Sequence, residues 1–363
     1  MMLSSTELFW SRIVNENNPN EPLRGALIGC GFFARNQLHA WQDLTGVALV
    51  AVCDRELERA ERFGREFGIP GIFSDVEAMF AQCPLDFVDI AAPTPAHAAL
   101  VEAAAHHGVD IICQKPFAGS LETARRLINL CEARGVSLTI HENFRWQHAI
   151  RDVVRLVDKG EIGRPFFGRV SYRSGFDVFA NQPYLAELPR FIIQDLGIHV
   201  LDIARALFGD VAHLSCETDR INPAIKGEDT ATIMLRHDAG TTCVVDCSYA
   251  TTLAEDPFPQ SLIEIDGASG SLRLGRDFVL ERHRPGGGKE RRDLTPDWPA
   301  WSEQPWSVIQ ESVVNLQRDW AECRRAGRAA ATHGADNFNT LSLVEAAYRS
   351  AETGQTVVPQ RWR

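Results

Sequence analysis

The sequence is short of positive charge: 37 Lys and Arg stand against 48 Asp and Glu in 363 residues, a net charge of −11. That balance argues against a nucleic-acid or anionic-membrane partner. No apolar run approaches the ~18–20 residues that a membrane span needs, so no membrane partner is expected. The nine cysteines are scattered and include no C-x-x-C pair. A zinc site is therefore not expected, and no other metal is called for. Most of the cysteines lie in apolar runs, as reduced thiols of a cytoplasmic protein do. Met1 to Glu21 is polar, rich in Asn and Glu, and without a signal-peptide pattern. Residues 1–22 thus read as an extension of the body, not as a targeting segment. No internal repeat is visible.

What is present is ordinary globular composition, 45% apolar and 23% charged, at a length that suits two domains. Residues 23–143 alternate short apolar runs with amphipathic stretches. Gly25–Gly29, Val47–Cys53, Phe87–Ala91, Val109–Cys113 and Ser137–His141 read as strands. Arg35–Leu44, Glu56–Phe67, Pro95–His107 and Ser120–Arg134 read as helices. Strands this short and apolar, each followed by a helix, predict an α/β domain with a doubly wound parallel sheet. Within residues 144–363 the pattern changes. After a helix, Trp146 to Lys159, come alternating runs (Phe166–Arg173, Ala212–Asn222, Asp229–Arg236, Thr241–Ser248, Ser261–Asp266) separated by turn residues. These predict an open, mainly antiparallel sheet in a second α/β domain. The basic stretch Arg282–Arg292 reads as a solvated loop, and two helices close the chain. An exposed apolar sheet face needs covering, so a homo-oligomer is expected.

Gly29-Cys30-Gly31-Phe32-Phe33-Ala34 is G-x-G-x-x-A, placed after a strand and opening a helix. The first glycine permits a tight turn, the second lets the backbone approach a pyrophosphate, and the small third residue lets helix and strand pack closely. Asp54 ends the next strand, where a carboxylate grips ribose hydroxyls and repels a 2′-phosphate; NAD is expected over NADP, although Arg55 beside it would welcome the phosphate. Pro93 and Thr94 follow the strand Phe87–Ala91, where this architecture touches the nicotinamide half of its cofactor, or where Thr94 simply caps a helix. His97 faces either the cofactor or the surface. Gln114-Lys115-Pro116 leaves the buried run Val109–Cys113. An ammonium there is costly unless it has work to do, and in a cleft it stabilises a developing alkoxide. Asp195 and His199 are four apart, so an α-helix would set the carboxylate one turn from the imidazole and orient it as a general base. A lone buried histidine would mean little; the order of the motifs around it is what points to a dehydrogenase.

Taken together, these residues resemble the Gfo/Idh/MocA family of oxidoreductases from Arg24 to about Tyr348. The resemblance implies an N-terminal Rossmann domain and a small-molecule sugar substrate, with Lys115, Asp195 and His199 facing that substrate beside the nicotinamide. It also implies cofactor contacts from Gly29, Gly31, Phe32, Phe33, Ala34, Asp54, Arg55, Ser74, Pro93, Thr94, His97, Gln114, Lys115 and Asn143. One departure stands out: the family usually has Glu where this chain has Gln114, and a neutral amide cannot pair electrostatically with Lys115. Glu142-Asn143-Phe144-Arg145-Trp146, Pro183-Tyr184 and Pro189-Arg190-Phe191 resemble the branch that oxidises D-apiose at its anomeric carbon to the lactone. That adds Asn143, Arg145, Tyr184 and Arg190 as expected sugar contacts. Oxidation of another polyol such as inositol, redox-neutral chemistry on a glycoside with retained NAD, and a non-enzymatic sensor use the same scaffold. A sensor has no reason to keep Lys115, Asp195 and His199 together.

Overall fold

The computed structural model describes residues 21–362; the expectation for residues 1–22 falls almost wholly outside them. The described residues form two compact units. The first runs to His141 and takes in Leu316–Gly334; the second comprises Glu142–Asn315 and the residues from Ala335 onward.

The first unit is built on β1 (Leu23–Ile28), β2 (Val47–Cys53), β3 (Gly71–Phe73), β4 (Phe87–Ile90), β5 (Asp110–Gln114) and β6 (Leu138–His141). Its sheet has the order β3-β2-β1-β4-β5-β6, and every pairing is parallel. This is the doubly wound arrangement expected, with strand order reversing between β1 and β4, where such sheets bind ligands. β3 escaped the sequence reading because three residues are too few to show a pattern. Helix ends follow local chemistry: the Ser120 hydroxyl accepts from the Thr123 N–H at 3.1 Å, and Gly135 closes the same helix at φ 68°.

One core face gathers Leu27, Val52, Ala60 and Phe63. The other joins Trp41, Phe87 and Ile112 to Trp320, Ala321, Cys323 and Ala330. The indole of Trp320 lies 5.7 Å from that of Trp41 and 4.6 Å from the Phe87 ring. Burial of that indole is why 316–334 belongs to the first unit, a return that the linear boundary at 143 did not foresee.

The second unit holds β7 (Pro165–Arg173), β8 (Val211–Asp219), β9 (Thr230–His237), β10 (Thr242–Ser248), β11 (Leu262–Gly267), β12 (Gly270–Leu274), β13 (Val279–Arg284) and β14 (Gly288–Asp293). Their order is β14-β13-β12-β11-β7-β10-β9-β8. All pairs are antiparallel except β7 with β10. The basic stretch at 282–292 is a correction to the sequence reading: it forms the β13–β14 hairpin. Register sets Glu281 against Arg291 and Arg282 against Glu290, so cross-strand opposite charges support it. Alternate residues of β7 and β10, among them Val170, Tyr172, Val245 and Cys247, are buried. The helix Ile198–Phe208 packs on this face: a Cβ at Gly168 would come within 2.4 Å of the Phe208 ring. That close approach fixes where His199 is carried. All nine cysteines are unpaired and buried, and no helix among the described residues is long and apolar enough to cross a membrane.

Candidate active site

In the first unit the motifs gather at the carboxyl ends of the strands. Gly29 has φ 96°, and a Cβ there would lie 2.6 Å from the Ala92 nitrogen, so the turn admits only glycine. Gly31 is different. A Cβ on it would meet nothing within 4 Å, so packing within the chain does not demand a glycine, and the space stays open above the backbone. Ala34 is fully buried at the start of the helix Ala34–Gln42, where a larger side chain would push helix from sheet. Phe32 is exposed, and Phe33 sets its ring edge-on to His141 at 5.8 Å.

The Asp54 carboxylate is held by backbone donors: Oδ2 accepts from the Cys30 N–H at 2.7 Å and Oδ1 from the Glu56 N–H at 2.9 Å. The glycine turn and the Asp54 carboxylate are thus one pre-organised unit, and an ionised carboxylate keeps further lone pairs for hydroxyls. Arg55 and Ser74 are exposed beside it, at the ends of β2 and β3. Burial, and next the Asp54 charge, push the Cys30 thiol up to about 12, so it stays neutral.

Pro93 takes the cap position of the helix Thr94–His106. Thr94 is therefore its first residue and not its cap. His97 does not lie at the surface, which corrects one of the two readings offered for it. It is 1% exposed, with Nδ1 3.0 Å from the Pro116 carbonyl oxygen and Nε2 2.7 Å from that of Ala92. The ring ties the Pro93-Thr94 turn to the Lys115-Pro116 step. Burial holds its pKa below the ordinary range, while the two carbonyls act the other way. The Gln114 side-chain oxygen accepts from the Lys115 N–H at 2.9 Å, and its Nε2 is buried with no hydrogen-bond partner among the described residues. Open space at Gly31 and an orphaned amide at Gln114 fit a dinucleotide, whose phosphates need the first and whose nicotinamide end can accept from the second.

In the second unit His199 is 5% exposed. Its Nδ1 is engaged by the Oε1 of Glu142, a fully buried carboxylate. Phe144 stacks on its imidazole, ring centroids 3.9 Å apart and planes within 7°. The sequence reading gave the orienting role to Asp195 on α-helical spacing. Asp195 itself lies in a π turn, Ile193–Gly197, ahead of the α-helix Ile198–Phe208. An i→i+5 turn widens the coil and offsets residues four apart, and such turns recur at functional sites. Asp195 is half-buried; burial, and next its charge, push the Tyr249 phenol well above the ordinary range.

The remaining expected sugar contacts differ in how they are held. The Arg145 guanidinium, 11% exposed, pairs with the fully buried Asp202 through Nε and one Nη, and reaches Asp336 at 3.1 Å. Burial would lower its pKa, but the two carboxylates hold it above the ordinary range. Arg145 is thus held by two carboxylates of its own unit. Asn143, 2% exposed, donates to the Ser312 hydroxyl at 2.6 Å. Arg190 binds Glu345 at 3.1 Å and Glu352 at 3.0 Å and lies 4.5 Å over the Tyr348 ring. Tyr184 is 60% exposed, its hydroxyl donating to the Gln182 side-chain oxygen at 3.0 Å. Glu142, quoted in the sequence reading without a role, is the buried carboxylate that contacts His199. The signal was there: a carboxylate just past β6, whose four residues are all buried, is as costly as the lysine after β5.

A parallel sheet with a glycine turn and an orphaned amide at its ends, and an imidazole backed by a carboxylate on the second unit, define a nucleotide-dependent oxidoreductase. Comparison with known proteins agrees. A family model described as the oxidoreductase family, NAD-binding Rossmann fold, matches residues 23–142, and one for the GFO/IDH/MocA C-terminal domain matches 150–273. The chain is 55% identical to a D-apiose dehydrogenase of Paraburkholderia graminis, over 92% of this chain and 89% of that one. It is 52% identical to a D-apiose dehydrogenase of Rhizobium rhizogenes, over 92% and 97%. A crystal structure of an oxidoreductase from Agrobacterium radiobacter in complex with NAD+, L-tartaric acid and magnesium superposes with a TM-score of 0.91 at 52% identity, covering 93% of this chain and 98% of that one. The chain belongs to the Gfo/Idh/MocA oxidoreductase family.

Proposed function

We propose that the protein is an NAD-dependent dehydrogenase that oxidises the anomeric carbon of D-apiose to the lactone. The observation that carries this reading is the buried His199 with a carboxylate on Nδ1, which leaves Nε2 as the basic atom; likeness to the two D-apiose dehydrogenases supplies the sugar.

Gly29, Gly31 and the start of the helix at Ala34 hold the pyrophosphate, and Asp54 holds the adenosine ribose and disfavours a 2′-phosphate. Phe32, Phe33, Arg55, Ser74, Pro93, Thr94 and Asn143 complete the cofactor contacts, and the Gln114 amide donates to the nicotinamide half. Bound NAD supplies the hydride acceptor. His199 takes the proton of the anomeric hydroxyl at Nε2. Lys115 donates to the same oxygen and stabilises its negative charge as the C–H bond breaks. Asp195 and Tyr184 bind sugar hydroxyls. Arg190, spent on Glu345 and Glu352, steadies the segment that carries them. Assembly of copies through the open face of the eight-stranded sheet, where Met234 and Phe166 are exposed, and a cytoplasmic location belong to the same proposal.

The test follows NADH absorbance with NAD or NADP across D-apiose, common aldoses and inositols. Turnover on D-apiose with NAD is expected. Turnover on another sugar keeps the chemistry and replaces the substrate, and bound NAD that never accumulates as NADH overturns the dehydrogenase reading.

A further inference from the structure

We propose that Glu142 is the positioning residue for His199, and that the segment 142–145 is built to hold it there. This rests on His199 being the base in the reading above. Three contacts converge from one short stretch. Glu142 engages Nδ1, Phe144 stacks on the ring face, and Arg145 pairs with Asp202 three residues further along the helix that carries His199. The spacing matches on both sides: Glu142 and Arg145 meet His199 and Asp202 as two successive rungs. Below them Arg205 continues the row, bound to Asp210 at 3.0 Å and to Asp336 at 3.0 Å, the carboxylate that Arg145 also reaches. Thr340 closes the middle rung by donating to Asp202 at 2.9 Å.

A helix can turn about its axis or slide by a fraction of a turn, and either motion would aim the imidazole elsewhere. Charged rungs at successive i, i+3 positions leave one register in which every buried charge has a partner. In that register the carboxylate fixes the tautomer: the proton sits on Nδ1 and is donated to Glu142, so Nε2 carries the lone pair. When Nε2 takes the substrate proton, the same carboxylate stabilises the imidazolium. No proton passes to Glu142, and the balance is one proton moved from hydroxyl oxygen to Nε2.

The experiment compares wild type, Glu142→Gln and Glu142→Asp, with circular dichroism to establish folding. Two readouts are used: the pH profile of turnover, and ¹⁵N NMR of the histidine-labelled protein to read the His199 tautomer and titration. With Glu142→Gln, kcat should fall about 10²-fold or more with little change in KM, and the acid limb should move down by about one pH unit or more, because a neutral amide no longer favours the imidazolium. Glu142→Asp should recover part of both. In wild type the neutral ring should carry its proton on Nδ1. An Nε2–H tautomer in wild type, or a His199 titration unmoved by Glu142→Gln, would overturn the proposal. The NMR arm decides this even if no sugar in the panel is oxidised, and full activity of His199→Asn would sink the base assignment while leaving the tautomer result standing.

Discussion

Arg145 and Asp202 form a two-point ion pair in which the carboxylate is fully buried and the guanidinium is 11% exposed. The pair lies one rung below Glu142 and His199. A pair like this contributes little net stability, since burial of two charges offsets most of their attraction, but breaking it strands a charge. Asp202→Ala should therefore cost about 3–5 kcal/mol, read as a shift in the urea midpoint. The double change Arg145→Met with Asp202→Leu should recover most of that loss and still impair turnover, because register is lost although the core is filled.

The two motif glycines make opposite demands. Gly29→Ala would force a side chain onto the Ala92 backbone at a φ of 96°, and should destabilise the fold by several kcal/mol with or without cofactor. Gly31→Ala meets nothing within 4 Å and should unfold like wild type on its own. Its methyl group fills the space that the pyrophosphate needs, so the rise in melting temperature that NAD gives wild type should be lost. Equal behaviour of the two variants would contradict the cradle.

His97 joins two loops that each carry functional residues. His97→Ala removes the ring that sits between the carbonyls of Ala92 and Pro116 and the N–H that it donates to one of them, and an unpartnered buried carbonyl costs about 1–3 kcal/mol. Denaturant unfolding should show that loss. Turnover should fall as well, because Lys115 is then less well placed. A variant as stable and active as wild type would show that the tie is dispensable.

Asp89 supplies a pH test. Its fully buried carboxyl accepts from Gln37 and Trp41 at 2.8 Å each, and burial raises its pKa from 3.8 to about 7. Between those values the folded chain keeps a proton that the unfolded chain has lost. Stability from this group therefore falls as pH rises from about 4 to about 7, and is level above. Subtracting the Asp89→Asn profile of urea midpoints from the wild-type profile isolates that slope. A difference that does not change across this range would show that Asp89 is ionised throughout.

What was legible in the chain was whatever the backbone enforces within a few residues. Gly29, Gly31 and Ala34 declare a strand, a turn and a helix in one stretch, and the turn dictates their sizes. Asp54 and Lys115 were visible because strands of the parallel sheet end where their apolar runs end. Glu142 obeyed the same rule after β6, but its meaning depends on His199, which a chain-local reading had already given to Asp195. The π turn was invisible, since no residue between Ile193 and Gly197 distinguishes it from an ordinary helix.

Periodicity, turn chemistry and the cost of an isolated charge thus determined the parallel sheet, the cofactor loop and the lysine, because each acts over distances that the covalent chain spans alone. Only tertiary packing decided that Glu142 meets His199, that Arg145 pairs with Asp202 and Asp336, that His97 is a tie between loops, and that Trp320 returns to the first core. Those outcomes turn on burial against residues remote in sequence, and desolvation there sets the partner that each charge must find.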